Sequence, residues 1–170
     1  VDIAQWGIGD EIRPVEIHTL SADIPIDGLV DDAIAWQSEV IYENGVQMSY
    51  SSEGNPHPDG IRFVGTEGWI HVTGGGTLSA DPMDVLKSVI GPNEIHLYAG
   101  PEHHRNFLDC IKTRRPTAAS AEIGHRATTT CNLVEISARL GRKLRWNPTT
   151  QRFTNDEAAN RLLSRPMRAP

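Results

Sequence analysis

The sequence predicts an α+β fold, in which an open, mostly antiparallel or mixed β-sheet carries helices on one face. Strand patterns dominate the first half of the chain, and the two longest helical patterns follow them. The βαβ alternation that is typical of a parallel sheet is not present. The length of 170 residues, with 38% hydrophobic and 22% charged side chains, predicts a single globular domain over residues 1–170.

The first half of the chain combines one short helix with a series of strands. The helical pattern ends at Gly7 or Gly9. Alternating runs predict strands at 14–20, 34–42, 46–52, 60–64 and 69–73. Asn44-Gly45 is a strong hairpin signal, because both residue types tolerate positive φ. Residues 65–68 supply a second hairpin turn, and weaker patterns predict strands at 77–80 and 95–98 around a helical turn at 84–89.

Two helices and a strand between residues 102 and 146 are predicted to organise the rest of the chain. The first helix has side chains at spacings of three and four, at His104, Phe107, Leu108 and Ile111. Pro116 limits this helix, because the residue before a proline avoids helical geometry. The second helix begins near Glu122 and carries a wide apolar stripe, which is typical of a helix buried on more than one side. We therefore expect the other elements to pack around this helix pair.

The chain closes with short elements. Residues 144–146 and 152–153 have the pattern of short strands, and 156–163 that of a short helix. Asn155 or Asp156 is expected to cap this helix and Pro166 to close it. The tail at 165–170 is predicted to be extended.

Charge and hydropathy exclude several classes of partner. A formal net charge of -6 argues against a nucleic-acid partner, which would need a basic face. No apolar run is long enough for a transmembrane helix. Cys110 and Cys131 fall on apolar sides of predicted helices, which favours free thiols, with an interhelical disulfide as the alternative. Because the chain does not begin with Met, we expect residues to be missing upstream; the predicted compartment is the cytoplasm by default, with the periplasm as the alternative.

Motifs for cofactors and metals are not complete in this sequence. Gly7-Ile8-Gly9 does not follow a strand, and Gly74-Gly75-Gly76 does not precede a helix, so neither predicts a dinucleotide-binding turn. The histidines and cysteines do not have zinc-site spacings: His103, His104, Cys110, His125 and Cys131. We therefore predict that this chain binds neither a metal nor a nucleotide by itself.

Five blocks of the chain resemble the Gfo/Idh/MocA family of oxidoreductases, in particular its bacterial members. The blocks are GIRFVGTEGWI at 60–70, HRNFLDCIK at 104–112, EIGHR at 122–126, GRKLRW at 141–146 and NRLLSRPMRAP at 160–170. This family joins an N-terminal Rossmann domain, which holds NAD or NADP, to a C-terminal α/β domain that shapes the substrate pocket. The chain is similar only to the second of these domains.

The resemblance implies a dehydrogenase parent that acts on a sugar or polyol-like substrate. The family's Glu-Lys-Pro motif has no match here, and its catalytic His would lie just upstream of Val1. Asp2 matches the last position of the pattern that contains this His and is the residue that we place near the chemistry. His103, His104 and Arg105 are candidates for substrate binding, because a helix start presents polar groups to ligands. The isolated chain is thus expected to bind without turning over.

Two kinds of partner follow from this assignment. The resemblance implies the missing Rossmann domain and a second copy of the chain, which would pair through the open face of the sheet. The alternative function is a stand-alone oligomerisation or carbohydrate-binding module without catalysis. A metal-dependent sugar-binding domain is a further alternative, which would require zinc.

Overall fold

The computed structural model describes residues 1–9, 11–27, 29–52, 58–98 and 102–165, so all but the first residue of the extended tail predicted at 165–170 lies outside them. Its strands are antiparallel and its helices follow most of them, which confirms the α+β class. The chain divides into two compact units. The first unit contains residues 1–59 and 126–170, and the second contains residues 60–125.

The first unit is a five-stranded antiparallel sheet with helices. Its elements are α1 (Asp2–Ile8), β1 (Pro14–Asp23), β2 (Ala35–Tyr42), β3 (Gln47–Ser51), β7 (Leu144–Asn147), β8 (Arg152–Phe153) and α4 (Glu157–Arg161), and most of α3 (Ala121–Leu140). The strand order is β3-β2-β1-β7-β8. The predicted hairpin between β2 and β3 is confirmed, and Gly45 has the positive φ of 83° that its turn requires.

The core of the first unit lies between this sheet and α3. Alternation places Ile17 of β1 and Val40 of β2 on one face, where both are fully buried. Leu133, Val134 and Ile136 of α3 belong to the same cluster of buried residues. The wide apolar stripe of α3 therefore has the role that the sequence predicts for it.

A chain of buried hydroxyl groups joins β1, β2 and α3 inside this core. Ser137 Oγ accepts the N–H of Thr19 at 2.9 Å and donates to the carbonyl of Arg142 at 2.9 Å. Thr19 Oγ1 donates to the carbonyl of Val134 at 3.2 Å, so the hydroxyl of Ser38, 2.9 Å away, is its donor. Each hydroxyl thus has partners, which is how polar groups are tolerated in an apolar core.

The predicted helix after β8 is confirmed, and Asp156 is its N-cap. Asp156 Oδ1 accepts the N–H of Ala159 at 3.0 Å, and the carboxylate also binds the guanidinium of Arg142 with both oxygens. The hydrogen bonds from Arg142, then that from Ala159, lower the pKa of Asp156 from its usual 3.8 to about 2. Asn160 holds α4 against β8 by binding the N–H and the carbonyl of Phe153 at 2.8 and 3.0 Å.

The low pKa of Asp156 predicts a pH-dependent contribution to stability. Because the folded-state pKa lies below the ordinary value, the contribution is complete above the unfolded pKa and is lost as the pH falls through about 2. Asp156→Asn retains a good N-cap but removes the charge that pairs with Arg142. We expect this variant to melt at a lower temperature than the parent at neutral pH and at the same temperature near pH 2. A melting difference that is unchanged across this range would contradict the assignment.

The second unit contains a three-stranded antiparallel sheet and α2. Its elements are β4 (Ile61–Gly65), β5 (Gly68–Val72), β6 (Leu78–Asp81), a 3-10 turn (Met83–Lys87), α2 (His103–Thr113) and the first residues of α3. The predicted hairpin of β4 and β5 is confirmed. Gly68 in its turn has φ of 148°, and a Cβ there would lie 2.3 Å from the carbonyl oxygen of Asp81, so no other residue fits.

Two predictions for this unit are wrong. Residues 95–98 form no strand: Ile95 is 87% exposed, and no strand of the described part of the chain pairs with the segment. In addition, α2 does not share the central role of α3. Phe107, Leu108 and Ile111 are each about half exposed, and only Cys110 of α2 is buried. Helical spacing predicts that an apolar face exists, but it does not predict which surface covers that face.

Both cysteines are free thiols, as predicted. Cys110 is buried and its Sγ donates to the carbonyl of Pro116 at 3.3 Å, whereas Cys131 is only half-buried. The alternative of an interhelical disulfide is therefore wrong.

Candidate functional site

The candidate site is an open cleft at the beginning of α2. Its volume is about 620 Å³. One wall is the first half of α2 and the other is the connection between α2 and α3. The lining residues are His103, His104, Asn106, Phe107, Leu108, Thr117, Ala119 and Ala121.

The sequence around the cleft explains why its walls begin and end where they do. Glu102 has extended geometry and makes no capping hydrogen bond through its side chain, so α2 begins without a side-chain cap. α2 ends at Thr113, and its C-cap Arg114 has left-handed geometry with φ of 59°, two residues before Pro116. Ser120 Oγ then accepts the N–H of Ile123 at 3.3 Å and starts α3.

Asn106 connects the two walls. Its Oδ1 accepts the N–H of Ala118 at 3.0 Å, from the connection to α3. Its Nδ2 donates to Tyr98 Oη at 2.8 Å, from the segment that precedes α2. Neither Asn106 nor Tyr98 was predicted as a site residue, because periodicity does not distinguish a bridging amide from a solvated one. The position of an Asn within the first turns of a helix was the available signal.

His103 and His104 both lie in this cleft, as neighbours in the first turn of α2. Their rings meet edge to face, with centroids 6.2 Å apart, and both side chains are exposed. Arg105 is not among the lining residues. Its Nε donates to Asp109 Oδ2 at 2.9 Å, and this hydrogen bond raises the pKa of the guanidinium. The structure therefore brings the two histidines together in the cleft, whereas Arg105 binds Asp109 of the same helix.

Asp2 is the first residue of α1 in the first unit, and its side chain is exposed. α1 is anchored by Gln5, whose Nε2 donates to the carbonyls of Gly9 and Ile12 at 2.9 and 2.8 Å. The first unit thus fixes the helix that carries Asp2. The role of Asp2 near a catalytic histidine stays a prediction.

The described residues contain neither a cluster of metal ligands nor a helix that could span a membrane. In that part of the chain, no three side chains of His, Cys, Asp or Glu converge on one point. No helix there combines the length and the apolar character needed to cross a membrane.

The cleft offers two kinds of contact to a ligand. The imidazoles of His103 and His104 and the hydroxyl of Thr117 can form hydrogen bonds. Phe107 and Leu108 provide apolar surface beside them. A small polar molecule with some apolar surface suits this combination.

Comparisons with known proteins agree on the fold and on the family. The sequence model of the Gfo/Idh/MocA family that is described as "Oxidoreductase family, C-terminal alpha/beta domain" matches residues 9–170. No curated protein matches this sequence.

Two solved structures have a similar fold. The aldose-aldose oxidoreductase from Caulobacter crescentus, complexed with glycerol, has 16% identity and a TM-score of 0.58 over 85% of this chain and 44% of its own. An NAD-binding protein from Listeria innocua has 12% identity and a TM-score of 0.52 over 79% of this chain and 42% of its own. The chain thus spans less than half the length of either protein.

The match over residues 9–170 covers both units, including the cleft, the core helix α3 and the five-stranded sheet. It also includes all five of the sequence blocks that resemble this family. On this evidence the chain belongs to the Gfo/Idh/MocA oxidoreductase family and corresponds to its C-terminal α/β domain.

Proposed function

We propose that this chain is the substrate-side domain of an NAD(P)-dependent dehydrogenase that acts on a sugar or polyol-like substrate. In this proposal a hydride passes between a substrate C–OH carbon and a nicotinamide held by an N-terminal Rossmann domain of the same protein. The observation that carries the proposal is the family match over residues 9–170. The similar fold of an aldose-aldose oxidoreductase and of an NAD-binding protein supports it.

The cofactor is not assigned to this chain, because its residues do not fit a dinucleotide. Gly7 lies within α1, and Gly74-Gly75-Gly76 lie between β5 and β6, so neither glycine run joins a strand to a following helix. NAD or NADP would supply the hydride acceptor from the other domain. We accordingly propose that the isolated chain is inactive.

The substrate class is supported by the chemistry of the cleft. Imidazole nitrogens of His103 and His104 can bind sugar hydroxyls, and Phe107 can cover the C–H surface of a sugar ring. Arg105, held by Asp109, contributes positive charge at the same helix start. Asp2 is proposed to help the catalytic histidine of the complete protein.

A second copy of the chain is the proposed partner for the open face of the five-stranded sheet. On that face Glu16 of β1 lies opposite Ile41 of β2, and His18 of β1 lies opposite Glu39 of β2 in the strand register. Glu16 also binds Lys143 at 2.6 Å. A polar face with fixed charges of both signs can complement itself around a two-fold axis. A sedimentation experiment in which the chain stays monomeric at high concentration would remove this part of the proposal.

The dehydrogenase assignment is tested by comparing the chain alone with the chain joined to a nucleotide-binding domain. With NAD⁺ or NADP⁺ and a panel of aldoses, we expect no reduced nicotinamide from the 170-residue chain alone. The same assay on the two-domain protein should produce reduced nicotinamide with at least one aldose. Turnover by the isolated chain, or clear NAD⁺ affinity of that chain in calorimetry, would contradict the division of roles. Binding of sugar without turnover by either protein would favour a carbohydrate-binding module.

The compartment is proposed as the cytoplasm by default.

A further inference from the structure

The hydrogen bonds of Asn106 have a fixed direction. A backbone N–H can only donate, so the atom that faces the N–H of Ala118 must be the amide oxygen. The amide NH₂ group consequently faces Tyr98 Oη, 2.8 Å away, and donates to it. The orientation of the amide is therefore determined by the chain itself and does not depend on any ligand.

This direction determines what the hydroxyl of Tyr98 can do. Since Tyr98 Oη accepts a hydrogen bond from Asn106, its own O–H must point elsewhere. Within the described part of the chain, the bond to Asn106 is the only hydrogen bond of Tyr98 Oη. The side chain of Tyr98 is 56% exposed, and Asn106 itself lines the cleft. The hydroxyl hydrogen of Tyr98 is thus available to an acceptor, on an oxygen that lies 2.8 Å from a side chain that lines the cleft.

We propose that Tyr98 is a further ligand-contacting residue of the cleft and that Asn106 is the positioning residue that makes it a donor. The ligand class is a neutral molecule with an acceptor oxygen, such as the carbonyl or hydroxyl oxygen of an aldose. The histidines contact the same ligand from the first turn of α2. This inference rests on the proposed function, because it concerns the cleft assigned there to the substrate.

Two substitutions separate this role from a purely structural one. Tyr98→Phe removes the donor and keeps the ring. Asn106→Asp keeps both contacts, because a carboxylate accepts from the N–H of Ala118 and from the hydroxyl of Tyr98. It reverses the direction of the second bond, so Tyr98 would no longer donate to the ligand. A carboxylate near the start of a helix is favourable for stability, so the fold is expected to persist.

The experiment measures the affinity of the complete chain for D-glucose and for glycerol. Two-dimensional NMR would follow the amide signals of His103 and His104 during the titration. We expect saturable shifts for the unsubstituted chain and an affinity roughly three- to tenfold lower for Tyr98→Phe and for Asn106→Asp, as for one lost hydrogen bond. Tyr50→Phe in β3 and Asn132→Asp on the exposed side of α3 are the matched controls, and neither should change the affinity.

The outcomes distinguish this inference from the proposed function. Unchanged affinity in both cleft variants would overturn the role of Tyr98 and leave the sugar site in place. A loss with Tyr98→Phe but not with Asn106→Asp would overturn the positioning role of Asn106. If neither probe shifts the histidine signals of the unsubstituted chain, the sugar site itself is wrong, and the inference fails with it.

Discussion

Leu133→Ala is expected to lower the free energy of unfolding by about 2–5 kcal/mol, the usual cost of removing a buried leucine side chain from a packed core. Leu133 is 1% exposed and lies in the cluster that joins α3 to β1, β2 and β7. The substitution removes apolar contacts and leaves a cavity between α3 and the five-stranded sheet, which the sheet cannot readily fill. Urea denaturation monitored by tryptophan fluorescence would measure this loss of stability, because Trp146 belongs to the same core and Trp36 packs against that core.

Leu108→Ala in α2 is the matched control for this prediction. Leu108 is 53% exposed, so the same chemical change should alter the free energy of unfolding by less than about 1 kcal/mol. Equal losses for the two substitutions would contradict the conclusion that Leu133 of α3 is buried in a core and Leu108 of α2 is not. They would restore the sequence-based expectation of a central helix pair.

Ser137→Ala is expected to lower the free energy of unfolding by about 1–3 kcal/mol, although it removes a single oxygen atom. The hydroxyl of Ser137 accepts the N–H of Thr19 and donates to the carbonyl of Arg142, both at 2.9 Å. Ser137 and Thr19 are 0% and 6% exposed, so water cannot replace the lost partner of this N–H. An unsatisfied buried donor costs more than an average hydrogen bond contributes.

The control for the hydroxyl network is Thr113→Ala. Thr113 also bonds to a backbone carbonyl, that of Asp109 at 2.8 Å, but it is exposed at the end of α2. Water can satisfy the freed carbonyl there, so we expect a change within about 0.5 kcal/mol. If Ser137→Ala and Thr113→Ala changed the free energy of unfolding by the same small amount in the same urea titration, the hydroxyl network would have no special importance for stability.

Local patterns in the sequence were sufficient for the fold class and for most of the elements. Asn44-Gly45 strongly favours a hairpin because glycine readily adopts the positive φ of such a turn, and the structure has that hairpin between β2 and β3. The alternation around Ile17 and Val40 similarly determined which strand residues are buried. The placement of His103 and His104 at a helix start was also predictable from the spacing that begins α2.

Other features depended on which segments meet in three dimensions. The apolar spacing of α2 predicted a buried face, but Phe107 and Leu108 line an open cleft, because no sheet of the second unit covers them. The run at 95–98 had a strand-like composition but no partner strand among the described residues, and a strand requires a neighbour for its hydrogen bonds.

The sequence by itself determined the local backbone geometry, the α+β class and the family, because these depend on periodicity, turn residues and short motifs. Only the tertiary structure decided that Asn106 joins Tyr98 to Ala118 and that Ser137 satisfies Thr19. The reason is physical: a hydrogen bond between segments depends on the distance and direction of two groups after packing. Residue type and spacing along one segment do not contain that information.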